Sequence, residues 1–424
     1  MKITRVTLEN YRGIRHVDLQ AHPRLNVFAG INGTGKSSIL QAIAHSLSLF
    51  TARLAETKSG MLTDNEIHNA ENFVSISLEC DEPHIRWTSV RTRTGKLAPC
   101  KSNLDELGQF VRQLKQQYTD TPDNTNFTVI AYYPTQRVGL DIPKRIKAQH
   151  EFTPLAAYAG NPKSGVDFRL FFEWFRQRQE TENNERISLL EKRVITERNQ
   201  YQDPYLQAVR DALVPFFPGF SNLTVQTTPM RLELSKGDET LSFQQLSDGE
   251  MALISLVADI AFRLSLANPH KDNPLDGHGI ILIDEAELHL HPEWQKNLIP
   301  RLLEAFPNCQ FFLSTHSPLV INRVKDGVVF ALSRMGEQIQ CEKTESAFGY
   351  LPDNVMSLFM GVQHDHLRPG HITELLASIY QAIDKNNFDE AEMRLKEAQE
   401  LIPHDAELTR AAMLIRRKKI LQRQ

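Results

Sequence analysis

The sequence predicts an α/β protein in which helices flank a mixed β-sheet. A glycine-rich loop lies between an apolar strand, "RLNVFA", and an apolar helix, "SSILQAIAHSLSLF". Two further apolar runs, "IILI" and "FFLST", each end in polar residues. Short apolar runs bounded in this way are typical of buried strands in a sheet that helices cover.

Four regions follow one another along the chain. Residues 1–160 combine short strands with the glycine-rich loop, and the alternating segment 73–91 predicts an antiparallel β subdomain. Residues 161–218 predict a helical insertion whose start is aromatic and whose remainder is highly charged. Strand character returns in 219–345, the second lobe of the same α/β domain. Residues 346–424 predict an all-helical C-terminal region.

The composition is that of a globular protein with a sizeable core: 424 residues, 41% hydrophobic and 24% charged. The net charge of -4 argues against a uniformly basic nucleic-acid binder. No apolar run approaches the roughly 20 residues that a membrane-spanning helix needs. The N-terminal segment alternates apolar and polar residues and lacks the apolar core of a signal peptide. The four cysteines are scattered, without a CxxC pair. We therefore expect a cytoplasmic protein that makes no membrane contact.

The clearest motif is "GINGTGKS", which begins at Gly30 and matches G-x-x-x-x-G-K-[ST] between a strand and a helix. Glycines allow backbone N–H groups to surround phosphate oxygens. Lys36 is expected to contact the β- and γ-phosphates, and the Ser37 hydroxyl is expected to bind Mg²⁺. The predicted nucleotide-binding residues of this loop are Gly30, Asn32, Gly33, Gly35, Lys36, Ser37 and Ser38.

Two more strands are predicted to deliver polar groups to the same edge of the sheet. "IILIDE" ends at Asp284 and Glu285. We expect Asp284 to orient Mg²⁺ and Glu285 to act as the general base that activates a water molecule. "FFLSTHSP" places His316 after a neighbouring strand, within reach of the γ-phosphate or the water. The alternatives are a solvated strand end and a structural histidine. The upstream phosphate loop favours the functional interpretation.

Weaker signals lie in two other turns. "YYPTQR" offers Gln136, which could bind Mg²⁺ and the attacking water, beside Arg137; a plain turn is the alternative. His289 and His291 in "HLHP" suggest a metal site, but no third ligand is evident. We favour a subunit contact for these two histidines.

The segment "LSDGE" has two interpretations. Ser247, with Glu250 three residues later, fits a capping box at the start of a helix. A helix start with bare N–H groups, a serine hydroxyl and Gly249 is also a phosphate site. Because the chain already has a phosphate loop, a second site is expected to receive a phosphate held by another copy.

Taken in order, "NGTGKSS", "LSDGE", "IDEAELHLHP" and "STHSP" resemble the ABC-type ATPase heads of the structural-maintenance, RecF and overcoming-lysogenization group. The resemblance covers roughly residues 1–330. It implies an ATP-dependent homodimer in which Ser247, Gly249 and Glu250 contact the γ-phosphate of ATP bound to the opposite subunit. "LENYRGI" resembles the first-strand motif of the group, which implies that Arg12 approaches the nucleotide.

The chain departs from that group in two places. Its helical segment near residues 166–200 is far too short for a long coiled coil, and after residue 330 it has no D-x-D and little strand character. We therefore expect no nuclease within the chain. "YYPTQR", "FFEWFR" and "AAMLIRRKKIL" resemble the ATPase subunit of Septu-type anti-phage systems, also found with some retrons. That resemblance implies a separate HNH nuclease as partner.

Two other functions stay open at this point. One is a RecF-type repair ATPase that binds DNA, and the other is a scaffold that binds ATP and hardly hydrolyses it. Nucleic-acid contact is possible at the basic run Arg416–Lys419. The tail resembles one tetratricopeptide-like hairpin, with a generic helical hairpin as an equal alternative. It could bind a partner helix.

Overall fold

The computed structural model describes residues 1–135, 150–158, 165–192, 201–336, 338–344, 346–362 and 368–421. Predicted site residue Gln136 and its neighbour Arg137 lie outside these ranges. The chain divides into two compact units, Met1–Val355 and Met356–Gln424.

The described strands account for the α/β part of the fold. They are β1 (Lys2–Tyr11), β2 (Ile14–Gln20), β3 (Leu25–Ala29), β4 (Phe73–Asp81), β5 (Ile85–Thr92), β6 (Val129–Tyr133), β7 (Phe220–Thr227), β8 (Met230–Lys236), β9 (Glu239–Ser242), β10 (Gly279–Ile283), β11 (Cys309–Thr315), β12 (Val328–Met335) and β13 (Gln338–Thr344).

The described helices are distributed over both units. They are α1 (Lys36–Leu54), α2 (Asp105–Asp120), α3 (Phe168–Glu191), α4 (Pro204–Leu213), α5 (Asp248–Ala267), α6 (Pro292–Ala305), α7 (Pro318–Ile321), α8 (Pro352–Met360), α9 (Gly370–Asp384), α10 (Phe388–Leu401) and α11 (Ala406–Leu421).

The central sheet has six strands within the described residues, in the order β13-β12-β3-β11-β10-β6. Neighbouring strands from β12 to β6 are parallel, and β13 pairs antiparallel with β12. Every residue of β3, β6, β10 and β11 is buried. Burial on both faces explains why these strands are continuous apolar runs. Their carboxyl ends share one edge, so the polar residues that follow them come together.

Two antiparallel sheets accompany the central one, with the orders β2-β1-β4-β5 and β7-β8-β9. Helix α1 contacts strands of both the central and the four-stranded sheet. Gln310 on β11 connects the central sheet to β1 of the four-stranded sheet. Its side chain accepts from the Ile3 N–H at 2.8 Å and donates to the Ile3 carbonyl at 2.7 Å. The predicted mixed sheet with flanking helices and an antiparallel subdomain is confirmed.

The prediction of little strand after residue 330 is wrong for the β12–β13 hairpin. β12 pairs with β3, which places the hairpin beside the phosphate loop. The burial of β13 alternates between half-buried and exposed, so this edge strand has few of the apolar residues that marked the central strands.

The aromatic start of α3 packs on the body of the first unit. Trp174 and Phe171 contact Phe262 of α5 with ring centroids 4.9 Å and 6.0 Å apart. The charged remainder carries ion pairs, including Arg186 with the buried Glu182 at 3.0 Å. The aromatic residues at the start of α3 therefore serve packing.

A buried charge network connects α5 to the central sheet. Asp259 is fully buried, and its Oδ2 accepts from the Tyr133 hydroxyl and from Arg263 Nε, both at 2.7 Å. Arg263 also donates to the Ala157 carbonyl at 2.8 Å. Tyr133 is the last residue of β6, and its carbonyl accepts from the Asp284 N–H at 2.9 Å. Breaking one partner of such a pair is expected to be costly because it leaves a buried charge.

The second unit contains the helices α9, α10 and α11. Its core includes Ile372, Leu376, Ile379 and Ile383 of α9, which pack with residues of α10 and α11. Among the described residues, no helix is both long and apolar enough to cross a membrane.

Candidate functional site

The phosphate loop joins β3 to α1 and leaves the start of that helix open. Gly33 and Gly35 have φ values of +79° and +92°, which residues with a side chain rarely adopt. Gly35 is the N-cap of α1, and no side chain caps the helix there. The first N–H groups of α1 are therefore available to an anion, and the helix dipole favours it.

Lys36 is buried and folds back on the loop. Its Nζ donates to the Gly30 carbonyl at 3.0 Å and to the Ile31 carbonyl at 2.9 Å. Burial lowers the pKa of Lys36 to about 8, while Glu287, Asp284 and Glu285 oppose the shift. A phosphate oxygen offers the ammonium a stronger, charge-assisted partner than either carbonyl.

The side chain of Asp284 accepts hydrogen bonds from hydroxyl groups of three separate segments. Its side chain accepts from Ser37 Oγ of α1 at 3.0 Å, from Thr135 Oγ1 at 3.3 Å and from Ser314 Oγ of β11. Asp284 is only 2% exposed. A carboxylate and a hydroxyl are ligands that suit Mg²⁺, which usually takes few protein ligands and completes its shell with phosphate oxygens and water. The residues present therefore fit the predicted cation.

Glu285 and His316 line the same cavity as the phosphate loop. Glu285 has a φ of +45°, an unusual backbone for a residue of its size, and its N–H donates to Ser314 Oγ at 2.7 Å. Burial, and next the Lys36 ammonium, lower the pKa of His316, which favours its neutral ring. The cavity has a volume of about 460 Å³ and is lined by Gly13, Asn32, Gly33, Gly35, Lys36, Ser37, Ser38, Glu285, His316, Arg334 and Ile339.

Arg12 lies in a neighbouring cavity. Its guanidinium donates to Gln41 Oε1 and lies 4.0 Å from a carboxylate oxygen of Glu66. Together with Tyr132 it lines a pocket of about 220 Å³. A nucleotide contact by Arg12 stays a prediction, and it would require the side chain to leave Gln41.

The "LSDGE" segment starts α5 with a complete capping box. Ser247 Oγ accepts from the Glu250 N–H at 3.3 Å, and Glu250 Oε2 accepts from the Ser247 N–H at 2.9 Å. Glu250 Oε1 also accepts from Lys236 Nζ at 2.9 Å. The capping interpretation therefore describes these contacts within one chain. Ser247 and Asp248 are exposed.

Gly249 makes a close backbone contact that the sequence did not reveal. A Cβ at this position would lie 2.4 Å from the His289 carbonyl and 3.4 Å from the Trp294 ring. The glycine thus allows the start of α5 to touch the turn that follows the acid strand. His289 is exposed with a φ of +65°, and His291 caps α6 by accepting from the Glu293 N–H at 3.3 Å. Within the described residues no group of three potential ligands for a metal ion forms.

Several residues of the site were missed by sequence reasoning. Thr135 and Ser314 bond to Asp284, and Arg334 and Ile339 of the β12–β13 hairpin line the cavity. Thr135 and Ser314 stand inside the quoted "YYPTQR" and "STHSP", where no role was assigned to them, and Arg334 and Ile339 lie in no motif. Glu287, whose Oε1 accepts from the His316 N–H, stands inside the quoted "IDEAELHLHP", so the motif was its only signal.

Comparison with known proteins places the chain in a family. Residues 25–322, more than half of the 424, match the family described as "AAA domain, putative AbiEii toxin, Type IV TA system". The chain belongs to this family. It is also 31% identical over 399 residues to the "Retron Ec83 probable ATPase" of Escherichia coli, an alignment that covers 81% of this chain and 73% of that protein.

Two further similarities extend over most of the chain. It is 22% identical over 397 residues to the Septu protein PtuA of Bacillus thuringiensis, covering 91% of this chain and 90% of that protein. A solved SMC head bound to the C-winged helix domain of ScpA has a TM-score of 0.47 and 14% identity, covering 81% of this chain and 98% of that chain. The predicted membership of the ATPases of retron and Septu systems is confirmed by the relatives and the family match.

The contact of Gly249 generates a test in the nucleotide-free protein. Gly249→Ala is expected to lower the free energy of unfolding by about 1–3 kcal/mol, because the new methyl group overlaps the His289 carbonyl. Urea unfolding would measure the change. The matched control is Gly108→Ala in α2, where a Cβ would meet only the Arg112 side chain, at 3.6 Å. This control should be neutral or stabilising. Equal stability of the two variants would contradict the inferred close contact.

Proposed function

We propose that the chain binds ATP with Mg²⁺ and hydrolyses it to ADP and phosphate. The observation that supports this most directly is the convergence on one cavity of a phosphate loop with open N–H groups, Lys36, and the Ser37–Asp284 pair. The names of the relatives, which include a probable ATPase, agree with it. Adenine specificity rests on the relatives alone.

The proposed mechanism assigns each group by its chemistry. Lys36 and the N–H groups at the start of α1 bind the phosphates and stabilise the charge that develops on the γ-phosphoryl group. Glu285 accepts a proton from the attacking water as general base. His316, with its pKa lowered, is neutral and donates or accepts a hydrogen bond at the γ-phosphate end. Mg²⁺, when bound by Ser37 and Asp284, supplies positive charge to the phosphate oxygens.

We further propose that two copies close around the nucleotide. The start of α5 is exposed at Ser247 and Asp248, and its capping box uses the Glu250 N–H of the first turn, so the exposed end of the helix can face a phosphate held by another chain. Glu250 is already bonded to Ser247 and Lys236, so its expected contribution is to hold the loop. The γ-phosphate would then favour the closed dimer, and hydrolysis would release it.

A partner nuclease completes the proposal. The relatives belong to retron and Septu systems, and the sequence resemblance implies a separate HNH nuclease that the ATP-dependent dimer regulates in anti-phage defence. The described C-terminal helices carry exposed apolar residues, such as Met393, Met413 and Ile420, which are available to a partner. We place this activity in the cytoplasm.

The general base can be tested with a single substitution. Glu285→Gln should lower ATP turnover by about 100-fold or more while ATP binding is retained, because only the proton acceptor is lost. Light scattering after size exclusion should show a dimer that persists with ATP and not with ADP. Glu304→Gln, an exposed position on α6, is the control. Hydrolysis that survives in Glu285→Gln would refute the assignment, and absent hydrolysis in the unaltered protein would favour the scaffold alternative.

Shared sites can be tested by mixing two inactive variants. Lys36→Ala removes the phosphate contact, and Asp248→Arg adds bulk and charge at the start of α5 without changing the capping box. If each site uses both chains, a mixed dimer contains one intact site and one doubly altered site. Turnover of the mixture should therefore exceed the sum of the separate variants. Turnover no greater than that sum would argue against composite sites.

The partner can be identified by purification at native expression. A tagged chain should copurify with a nuclease of HNH type, which mass spectrometry would identify. The Glu285→Gln form with ATP should retain that partner if the closed dimer binds it. Recovery of the chain alone in both forms would contradict an obligate nuclease partner.

A further inference from the structure

Glu287 lies next to the candidate catalytic groups and has no role in the mechanism above. Its Oε1 accepts from the backbone N–H of His316, at the end of β11. Its Oε2 is buried and has no hydrogen-bond partner among the described residues. A buried carboxylate oxygen without a hydrogen-bond partner is costly to the fold, so the placement of Glu287 calls for an explanation.

The backbone around Glu287 holds this side chain in place. The Ala286 N–H donates to the Ser314 carbonyl at 3.0 Å, which attaches the turn to β11. The Leu290 N–H donates to the Glu287 carbonyl at 2.9 Å and closes the turn. Glu287 therefore reaches the His316 backbone from a turn that is itself bonded to the neighbouring strand.

The charge of Glu287 is close to the phosphate end of the cavity without opening onto it. Among the three carboxylates near Lys36, Glu287 attracts the ammonium most strongly. Yet Glu285 and His316 line the cavity and Glu287 does not. Glu287 thus lies behind the groups that would meet the γ-phosphate, where it can orient them but not react.

We propose that Glu287 is a positioning residue, which fixes the backbone of His316 so that its ring meets the γ-phosphate end of the cavity. This inference rests on the proposed ATP hydrolysis and deepens it. The hydrogen bond to the His316 N–H sets the position of the ring, because it holds the residue at the point where the chain leaves β11.

The first test uses the nucleotide-free protein. Hydrogen exchange of the peptide 313–318 should be about 10-fold faster in Glu287→Ala, since the His316 N–H loses its acceptor. Glu287→Gln should exchange like the unaltered protein, because its amide oxygen still accepts, and it should be at least as stable in urea. Glu304→Ala is the matched control. Unchanged exchange in Glu287→Ala would overturn the inferred anchor, whether or not the protein hydrolyses ATP.

The second test separates positioning from binding. Glu287→Ala should lower kcat by about 10- to 100-fold through misplacement of His316, while KM changes little. Glu287→Gln should recover most of kcat. The double variant Glu287→Ala/His316→Ala should turn over no more slowly than His316→Ala alone. Multiplied losses in the double variant, or a raised KM with unchanged kcat, would overturn the proposal. Absent turnover in the unaltered protein would refute the ATPase function instead, and hydrogen exchange would still test the anchor.

Discussion

The buried carboxylate of Asp284 is the constraint on which the rest of the site depends. The hydroxyl groups of Ser37 in α1, Thr135 after β6 and Ser314 in β11 all donate hydrogen bonds to it. Burying a carboxylate is costly unless it is hydrogen-bonded, and each donor fixes one segment relative to β10. The phosphate loop, the acid strand and the histidine strand are therefore held in register by one side chain. The same carboxylate suits Mg²⁺, which Asp284 and the Ser37 hydroxyl would hold together.

The local motifs could be predicted from the sequence because their chemistry is contiguous. The phosphate loop, the acid pair and the capping box each lie within a few residues, and an apolar strand or helix beside each one indicated its context. The sequence also predicted that these residues meet at one edge of the sheet, since the carboxyl ends of parallel strands lie on the same side. Lys36 of the phosphate loop, Asp284 of the acid pair and Ser247 of the capping box belong to these predictable parts.

The remaining groups could not be predicted because they depend on contacts between distant segments. Thr135 and Ser314 meet Asp284 across 149 and 30 positions of sequence, respectively. Both residues lie inside quoted motifs, "YYPTQR" and "STHSP", but nothing in those motifs shows that their hydroxyls would reach Asp284. Gly249 is a second case: its motif suggested a phosphate contact, and only the fold reveals the His289 carbonyl against it. The β12–β13 hairpin escaped notice because a half-exposed edge strand carries a weak apolar signal.

The buried network at Asp259 has a mechanical consequence. The Tyr133 hydroxyl donates to Asp259 of α5, and the Tyr133 carbonyl accepts from the Asp284 N–H. These bonds connect the middle of α5 to the edge of the sheet where Asp284 and Glu285 lie. Ser247 lies three helical turns before this attachment. A force applied to the exposed start of α5 cannot slide the helix along the sheet without breaking buried bonds.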